Sequence, residues 1–309
     1  MKKIILDCDP GHDDAIAILL AAKNEQLDLL GITIVAGNQT LEKTSTNALN
    51  VCQYLNIDTE VYAGSSEPLV RAKQEIADNI HGETGLDGPV FDELKRSVNE
   101  KNGINFIIDT VLEQSEPVTL VATGPLTNIA LALKLNPKIK GNVDEIVIMG
   151  GSMQLGNTTP AAEFNILADP ESAHIVFESG IPVVMVGLDV TRKVQVTGPI
   201  LERIGKIGNK ASKLFVDLMI FFNKTQKEVF GWEGGPLHDP LTLAYLIDPS
   251  VIETKLMNVQ IDTWSPQSYG RTNCDFFNQT DLPKNSYVAV NVDIEKYWDI
   301  IETEIKKYD

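Results

Sequence analysis

Short apolar runs rich in β-branched residues recur along this chain, and between them apolar residues return every three or four positions. The runs lie at Ile4–Leu6, Ile32–Val35, Val118–Ala122, Glu145–Met149, Pro182–Leu188, Met257–Ile261 and Ser286–Val292. Continuous apolar strands suit a sheet buried on both faces. Helical spacing occupies Ala15–Ala22, Leu41–Leu55, Asn105–Glu113, Leu126–Leu135, Glu171–Glu178 and Lys210–Lys227. The alternation predicts βαβ units: an α/β fold with a mostly parallel, Rossmann-like open sheet, helices on its faces and the active site at the carboxyl ends of the strands.

Local punctuation supports these boundaries. In "ADPESAHIVFESG", Asp169 suits a helix N-cap, Pro170 the first helical position and Gly180 a left-handed exit. Residues 64–103, rich in Gly, Pro and charge, read as a long loop or flap, and long ordered loops in compact domains are usually functional. No repeat or interdomain linker interrupts the pattern. The expected organisation is one α/β domain over 1–309, with a smaller helical lobe at 190–235 left open.

Charge narrows the function classes. The net charge of −17 argues against a nucleic-acid backbone or an anionic membrane surface and favours neutral or cationic ligands, metal ions included. The three cysteines, Cys8, Cys52 and Cys274, form no CxxC pair and no disulfide framework, which fits a reducing cytoplasm. The opening Lys2-Lys3 and its apolar run are interrupted by Asp7, too soon for a secretory signal, and no stretch approaches the roughly 20 apolar residues of a membrane helix.

The densest chemistry is DCDPGHDD, with Asp7, Asp9, Asp13 and Asp14 where a strand turns into a helix. The strand period of two puts Asp7 and Asp9 near one side, and Pro10-Gly11 suits a tight turn with Gly11 at positive φ. Asp13 and Asp14 fall at the start of the helix, where the dipole offsets on the order of 1 kcal/mol per carboxylate at best. Any one of these acids reads as a cap or a loop acid, but four together require a further term. A hard cation, Ca²⁺ or Mg²⁺ before zinc or copper, is the economical one. Other strand ends carry Asn38, Thr123, Met149 and Asp189, which can converge on one crevice. "GNTTPAAEFNILADP" gathers Asn157, Glu163, Phe164 and Asn165, suited to a polyhydroxylated ligand. His238 and Asp239 precede a helix at Pro240, where a core histidine and a plain N-cap are equally open readings.

DCDPGHDDA, Asn38 in "VAGNQT", His81 in "HGETG", "TGPLTNIA", "VIMGGS", "EFNILADPESAH" and the late "HDP" together resemble, in order and spacing, the nucleoside hydrolases of the inosine-uridine-preferring type. The resemblance covers essentially the whole chain. It implies calcium-dependent hydrolysis of the N-glycosidic bond of ribonucleosides to ribose and free base, a use in nucleoside salvage, and homodimers or homotetramers. Carried over by position, Asp9, Asp14, the backbone carbonyl of Thr123 and Asp239 would hold Ca²⁺. Asp9 would also take a proton from the attacking water, and Asp13 would bind a ribose hydroxyl. Asn38, Asn157, Glu163 and Asn165 match ribose-binding positions, with Met149 against the sugar and Phe164 flanking it. His238 matches the leaving-group acid, His81 lies near the base, and Asp7 supports the motif from behind.

The transition state implied is oxocarbenium-like, so an acidic crevice has a catalytic use. Phe222, Gln226 and Phe230 sit about one helical turn apart before His238 and are expected to border the base. Gln226 can hydrogen-bond a pyrimidine edge, which favours uridine and cytidine over inosine. Two other classes remain open at this point. A haloacid-dehalogenase-like phosphatase would use Asp7 as nucleophile with Mg²⁺, and a non-catalytic nucleoside- or sugar-binding protein would use the same crevice without turnover.

Overall fold

A computed structural model describes residues 1–309. Its strands are β1 (Lys2–Cys8), β2 (Leu27–Ile34), β3 (Val61–Ala63), β4 (Val118–Ala122), β5 (Val143–Met149), β6 (Val183–Val186), β7 (Ile252–Met257), β8 (Val259–Ile261), β9 (Thr272–Cys274) and β10 (Ser286–Val292). Eight of them form one sheet in the order β3-β2-β1-β4-β5-β6-β10-β7. Every neighbouring pair is parallel except β10 with β7. The chain runs outward from β1 through β2 and β3 on one side and from β4 through β6 on the other. Between β1 and β4 lies a topological switch point, where loops at the strand ends part and leave a crevice.

Helices α1 (His12–Lys23), α2 (Leu41–Leu55), α3 (Asp78–His81), α4 (Gly103–Glu113), α5 (Thr127–Leu135), α6 (Phe164–Ala168), α7 (Pro170–Phe177), α8 (Leu188–Thr191), α9 (Gly198–Gly205), α10 (Lys210–Phe230), α11 (Pro240–Ile247) and α12 (Ile294–Ile305) complete the chain. None is long and apolar enough to cross a membrane. The period of two along β1 divides the core. Ile4, Leu6 and Cys8 join one buried cluster with residues of α1, α10, α11 and α12, while Ile5 joins the other with residues of α4, α5 and α7. Leu214, Phe215, Leu218 and Phe222, within the stretch considered for a separate lobe, belong to the same cluster as Ile4 and Leu6.

Among the boundaries that differ from the pattern read in the sequence, three have a clear local reason. Helix α1 begins at His12, not near Ala15, because its first turn turns inward: His12, Asp13 and Asp14 are all buried. The run at Pro182–Leu188 stops being a strand at Val186, since Leu188 N–H donates to the Gly151 carbonyl at 2.9 Å and starts α8. Met257–Ile261 splits at Asn258, whose amide donates to Pro283 O at 2.6 Å, so that β7 ends the main sheet and β8 pairs with β9 in a separate ribbon. The reading of α7 holds: Asp169 Oδ1 accepts from Ser172 N–H at 3.1 Å, and Gly180 sits at φ 83°.

The last helix reaches back to the functional end of the sheet. Tyr297 on α12 is fully buried, and its hydroxyl donates to the Leu237 carbonyl at 2.8 Å, one residue before His238. Tyr297→Phe leaves that carbonyl short of a partner in the core. The variant is expected to lose about 1–3 kcal/mol of stability, read as a lowered urea midpoint at unchanged slope by tryptophan fluorescence.

Candidate active site

Asp9, just past the end of β1, is packed against two glycines. A Cβ on Gly37 would lie 2.0 Å from its Oδ2, and one on Gly124 2.6 Å from its Oδ1. Asn38 N–H donates to Asp9 Oδ2 at 2.6 Å, and Asp9 Oδ1 is buried without a partner. Asp14 is held by Thr123 Oγ1 at 2.7 Å, Gly11 N–H at 3.0 Å and Asn38 Nδ2 at 3.1 Å. Gly11 is present for a reason other than the turn expected of it. Its φ is −104°, within reach of any residue, but a Cβ there would stand 2.6 Å from His81 Nδ1 and 2.9 Å from Asn38 Nδ2.

Asp239 begins α11 without using its side chain as a cap, and its carboxylate joins Asp13 and Asp14 in a buried group whose oxygens lie within 4.8 Å of one another. Burial, the largest cause, raises all four carboxyls: Asp13 to about 7, Asp14 above its ordinary range, Asp9 and Asp239 well above it. A neighbouring carboxylate pushes Asp9, Asp13 and Asp239 further in the same direction. The donor set is entirely hard oxygen with one orphaned atom, and a divalent cation among these groups removes the repulsion that raises them. The residues present therefore fit a metal of the Ca²⁺ or Mg²⁺ type.

Asp7 parts from the other acids. Its Oδ1 accepts from Thr33 Oγ1 at 2.5 Å and Asn128 Nδ2 at 2.8 Å, and burial lifts its carboxyl to about 7. Its carboxylate faces Thr33 on β2 and Asn128 on α5, a placement that does not suit the substrate contact the phosphatase alternative requires of it.

A cavity of about 260 Å³ opens over this floor. Asp13, Asn38, Thr123, Met149, Asp239 and, from the loop that runs into α6 and its first turn, Asn157, Glu163, Phe164 and Asn165 line it on the side of the strand ends. Asn165 Nδ2 donates to the carbonyls of Thr123 (2.8 Å) and Met149 (3.0 Å), tying the loop to β4 and β5. Glu163 accepts from the N–H groups of Gly151 and Asn165 at 2.9 Å and Ile166 at 3.1 Å, and Asn157 Oδ1 from Phe164 N–H at 2.9 Å.

The opposite wall comes from α10 and from the 64–103 segment, which folds over the crevice. Phe222, Gln226, Val229 and Phe230 line it there beside Ile80 and His81, the His81 and Phe222 ring centroids 5.6 Å apart. Gln226 is 4% exposed and its Oε1 has no partner. Thr225 Oγ1 donates to the Ile80 carbonyl at 2.8 Å, holding α3 against α10. His238 also lines the cavity, its Nδ1 2.7 Å from Thr191 Oγ1. Enclosure, followed by the Arg192 charge, pushes its imidazole down to about 3, so the ring rests neutral rather than near its ordinary value of about 6.5.

Of the sixteen residues given a catalytic, metal, sugar or base role from the sequence, fourteen line the cavity, and Asp9 and Asp14 lie beneath its floor; Asp189 lies outside it, its Oδ2 accepting from Met153 N–H at 2.6 Å. Three residues were given no role there. Arg192 lines the cavity and donates to the Leu155 and Gly156 carbonyls at 3.0 and 2.7 Å, Thr191 contacts His238, and His12 packs against His81. His12 stands inside the aspartate motif itself, but its partner is 69 residues away and only the folded flap reveals the contact.

Comparison with known proteins agrees with this geometry. The family described as inosine-uridine preferring nucleoside hydrolase matches residues 4–299. The pyrimidine-specific ribonucleoside hydrolase RihB of Escherichia coli (strain K12 / DH10B) is 51% identical over 307 residues, covering 99% of this chain and 98% of that protein, and RihB of Shigella flexneri is 50% identical over the same span. Among solved structures, a purine-preferring ribonucleoside hydrolase from Gardnerella vaginalis superposes with a TM-score of 0.92 at 36% identity, covering 99% of this chain and 98% of that one. The plant nucleoside hydrolase PpNRh1 gives 0.91 at 32%, covering 99% of both chains. With its family motifs gathered around one crevice and matches of this extent, the chain belongs to the inosine-uridine preferring nucleoside hydrolases, enzymes that hydrolyse the N-glycosidic bond of ribonucleosides.

Proposed function

We propose that this hydrolase acts on pyrimidine ribonucleosides, uridine and cytidine first, with Ca²⁺ held by Asp9, Asp14, the Thr123 carbonyl and Asp239. The observation that carries the reading is the buried carboxylate group of Asp13, Asp14 and Asp239 at one end of a cavity whose other end presents an unpartnered Gln226 amide oxygen among aromatic rings. The name of the RihB relatives, half identical to this chain, supports the pyrimidine preference.

When bound, Ca²⁺ supplies positive charge and oxygen-coordination sites that bring water and sugar hydroxyls together. Asp9, through its unpartnered Oδ1, takes the proton of the attacking water. Asp13 and Asn38 grip the ribose at the floor, and Asn157, Glu163 and Asn165 hold it from the loop, with Met149 beneath and Phe164 beside it. As the glycosidic bond lengthens, positive charge grows on the sugar, and the surrounding carboxylates stabilise it. The departing base gathers the electron pair. His238, neutral with Thr191 at Nδ1, offers its other nitrogen as a hydrogen-bond donor to that base.

Thorough chelation is expected to abolish release of reducing sugar from uridine and to lower the melting temperature, both returning with Ca²⁺; activity that persists without metal contradicts the metal reading. His238→Ala is expected to lower kcat for uridine by about 10²–10⁴-fold but that for p-nitrophenyl riboside, whose leaving group needs no proton, by much less. Equal losses on both substrates would remove His238 from that role. Gln226→Leu is expected to lower kcat/KM for uridine and cytidine by roughly 10- to 100-fold while acting weakly on the aryl riboside, measured by initial rates.

A further inference from the structure

Two charged residues at the end of β6, Asp189 within α8 and Arg192 just after it, take no part in the chemistry described so far. Three positions apart on one turn, they share a side of the helix. Both hold the loop that follows β5. Asp189 Oδ2 accepts from Met153 N–H at 2.6 Å. Arg192 spreads its guanidinium over two successive carbonyls, Nη1 donating to Leu155 at 3.0 Å and Nη2 to Gly156 at 2.7 Å. A planar fork can span two acceptors in this way, whereas the compact ammonium of a lysine cannot.

The loop needs such a hold. From Met153 to Pro160 no residue is buried, and Leu155 is 65% exposed. The tip closes on itself, with Gly156 N–H on the Pro160 carbonyl at 3.2 Å and the N–H groups of Asn157 and Thr158 on the Ala162 carbonyl at 3.2 and 3.3 Å. A segment with so little buried surface opens at small cost unless hydrogen bonds fasten it to the body of the protein. At its start Thr272 Oγ1 accepts from Ser152 N–H at 2.9 Å and donates to the Ser152 carbonyl at 2.6 Å. Beyond that point the fastening to the sheet side comes from Asp189 and Arg192.

Asn157 is the cavity-lining residue that depends on them. Glu163 and Asn165 are tied separately to Gly151, Thr123 and Met149 at the strand ends. Asn157 Oδ1 accepts from Phe164 N–H, which leaves its Nδ2 as the group offered to the cavity. We propose that Asp189 and Arg192 are positioning residues for the sugar: from α8 they fix residues 153–156, and with them the direction in which Asn157 offers its amide N–H groups to a ribose hydroxyl. The inference rests on the reading of Asn157 as a sugar contact and not on which base is preferred, because ribose is common to every ribonucleoside.

A double-mutant cycle on kcat/KM, with uridine, cytidine and inosine as substrates, tests this. Arg192→Lys keeps the positive charge but not the fork, and is expected to lower kcat/KM about tenfold on each nucleoside that is cleaved. Asp189→Ala is expected to do the same, and Asp189→Asn, which still accepts from Met153 N–H, to recover most of that loss. Added to Asn157→Ala, Arg192→Lys should cost less than about twofold more, since the group it positions is already gone. A brace that serves folding alone predicts independent losses, so a further tenfold fall in the double variant overturns the proposal. So does a wild-type rate in Arg192→Lys, or a loss confined to one base. An Asn157→Ala protein as active as wild type removes the sugar reading of Asn157 and the clamp with it; an impaired Asn157→Ala with additive Arg192→Lys losses removes the clamp alone.

Discussion

Four carboxylates buried at the end of β1 and the starts of α1 and α11 are the condition to which the rest of the structure answers. Taking even one such group out of water is unfavourable unless it is hydrogen-bonded or paired. The surrounding chain meets that demand with backbone and short polar groups: Asn38 N–H on Asp9, and Thr123 and Gly11 on Asp14. Room for them comes from side chains that are missing, at Gly37 and Gly124. What hydrogen bonds leave uncompensated is mutual repulsion, and that residue of unfavourable energy makes the place receptive to a cation and to a sugar acquiring positive charge.

The two walls of the cavity are built differently. On the sugar side, the groups stand on loops stitched to β4 and β5, with Asn165 bonded to two strand-end carbonyls and Glu163 accepting three N–H groups. Each is held by contacts that any nucleoside leaves unchanged, since ribose is common to all. On the base side, the walls are one face of a helix and a folded-over segment joined by a few hydrogen bonds, such as Thr225 to Ile80. Under the proposed substrate reading, a substitution there would alter the fit of the base while leaving the contacts of the acid floor in place. The division agrees with a family whose relatives carry both pyrimidine-specific and purine-preferring names on one fold.

Much of this was legible before the coordinates. β4 and α2 fall where periodicity puts them, because a fully apolar five-residue run and a well-separated helical stripe leave no competing pattern. The acids were legible because like charges crowded at a strand-to-helix turn demand an explanation. Contacts between distant segments were not. Nothing in Ser286–Val292 says that this late strand inserts between β6 and β7, and Asn258 divides an apparently continuous strand through a carbonyl 25 residues further on. His12 reads as one more polar residue in a motif until His81 is folded over it. Its chemistry depends on which nitrogen meets which partner, and a linear pattern does not encode that.

The insertion of β10 has a bearing on how the molecule comes into being. The groups around the crevice are encoded in the first 239 residues and stand on six contiguous parallel strands, β3-β2-β1-β4-β5-β6, to whose β6 edge residues 286–292 are added and there join β7. The carbonyl before His238 likewise waits for Tyr297. During vectorial synthesis the acids of the opening strand thus emerge from the ribosome long before their enclosure can close. The contact that steadies the chain before His238 is supplied by a helix made well after the segment that bears the acids.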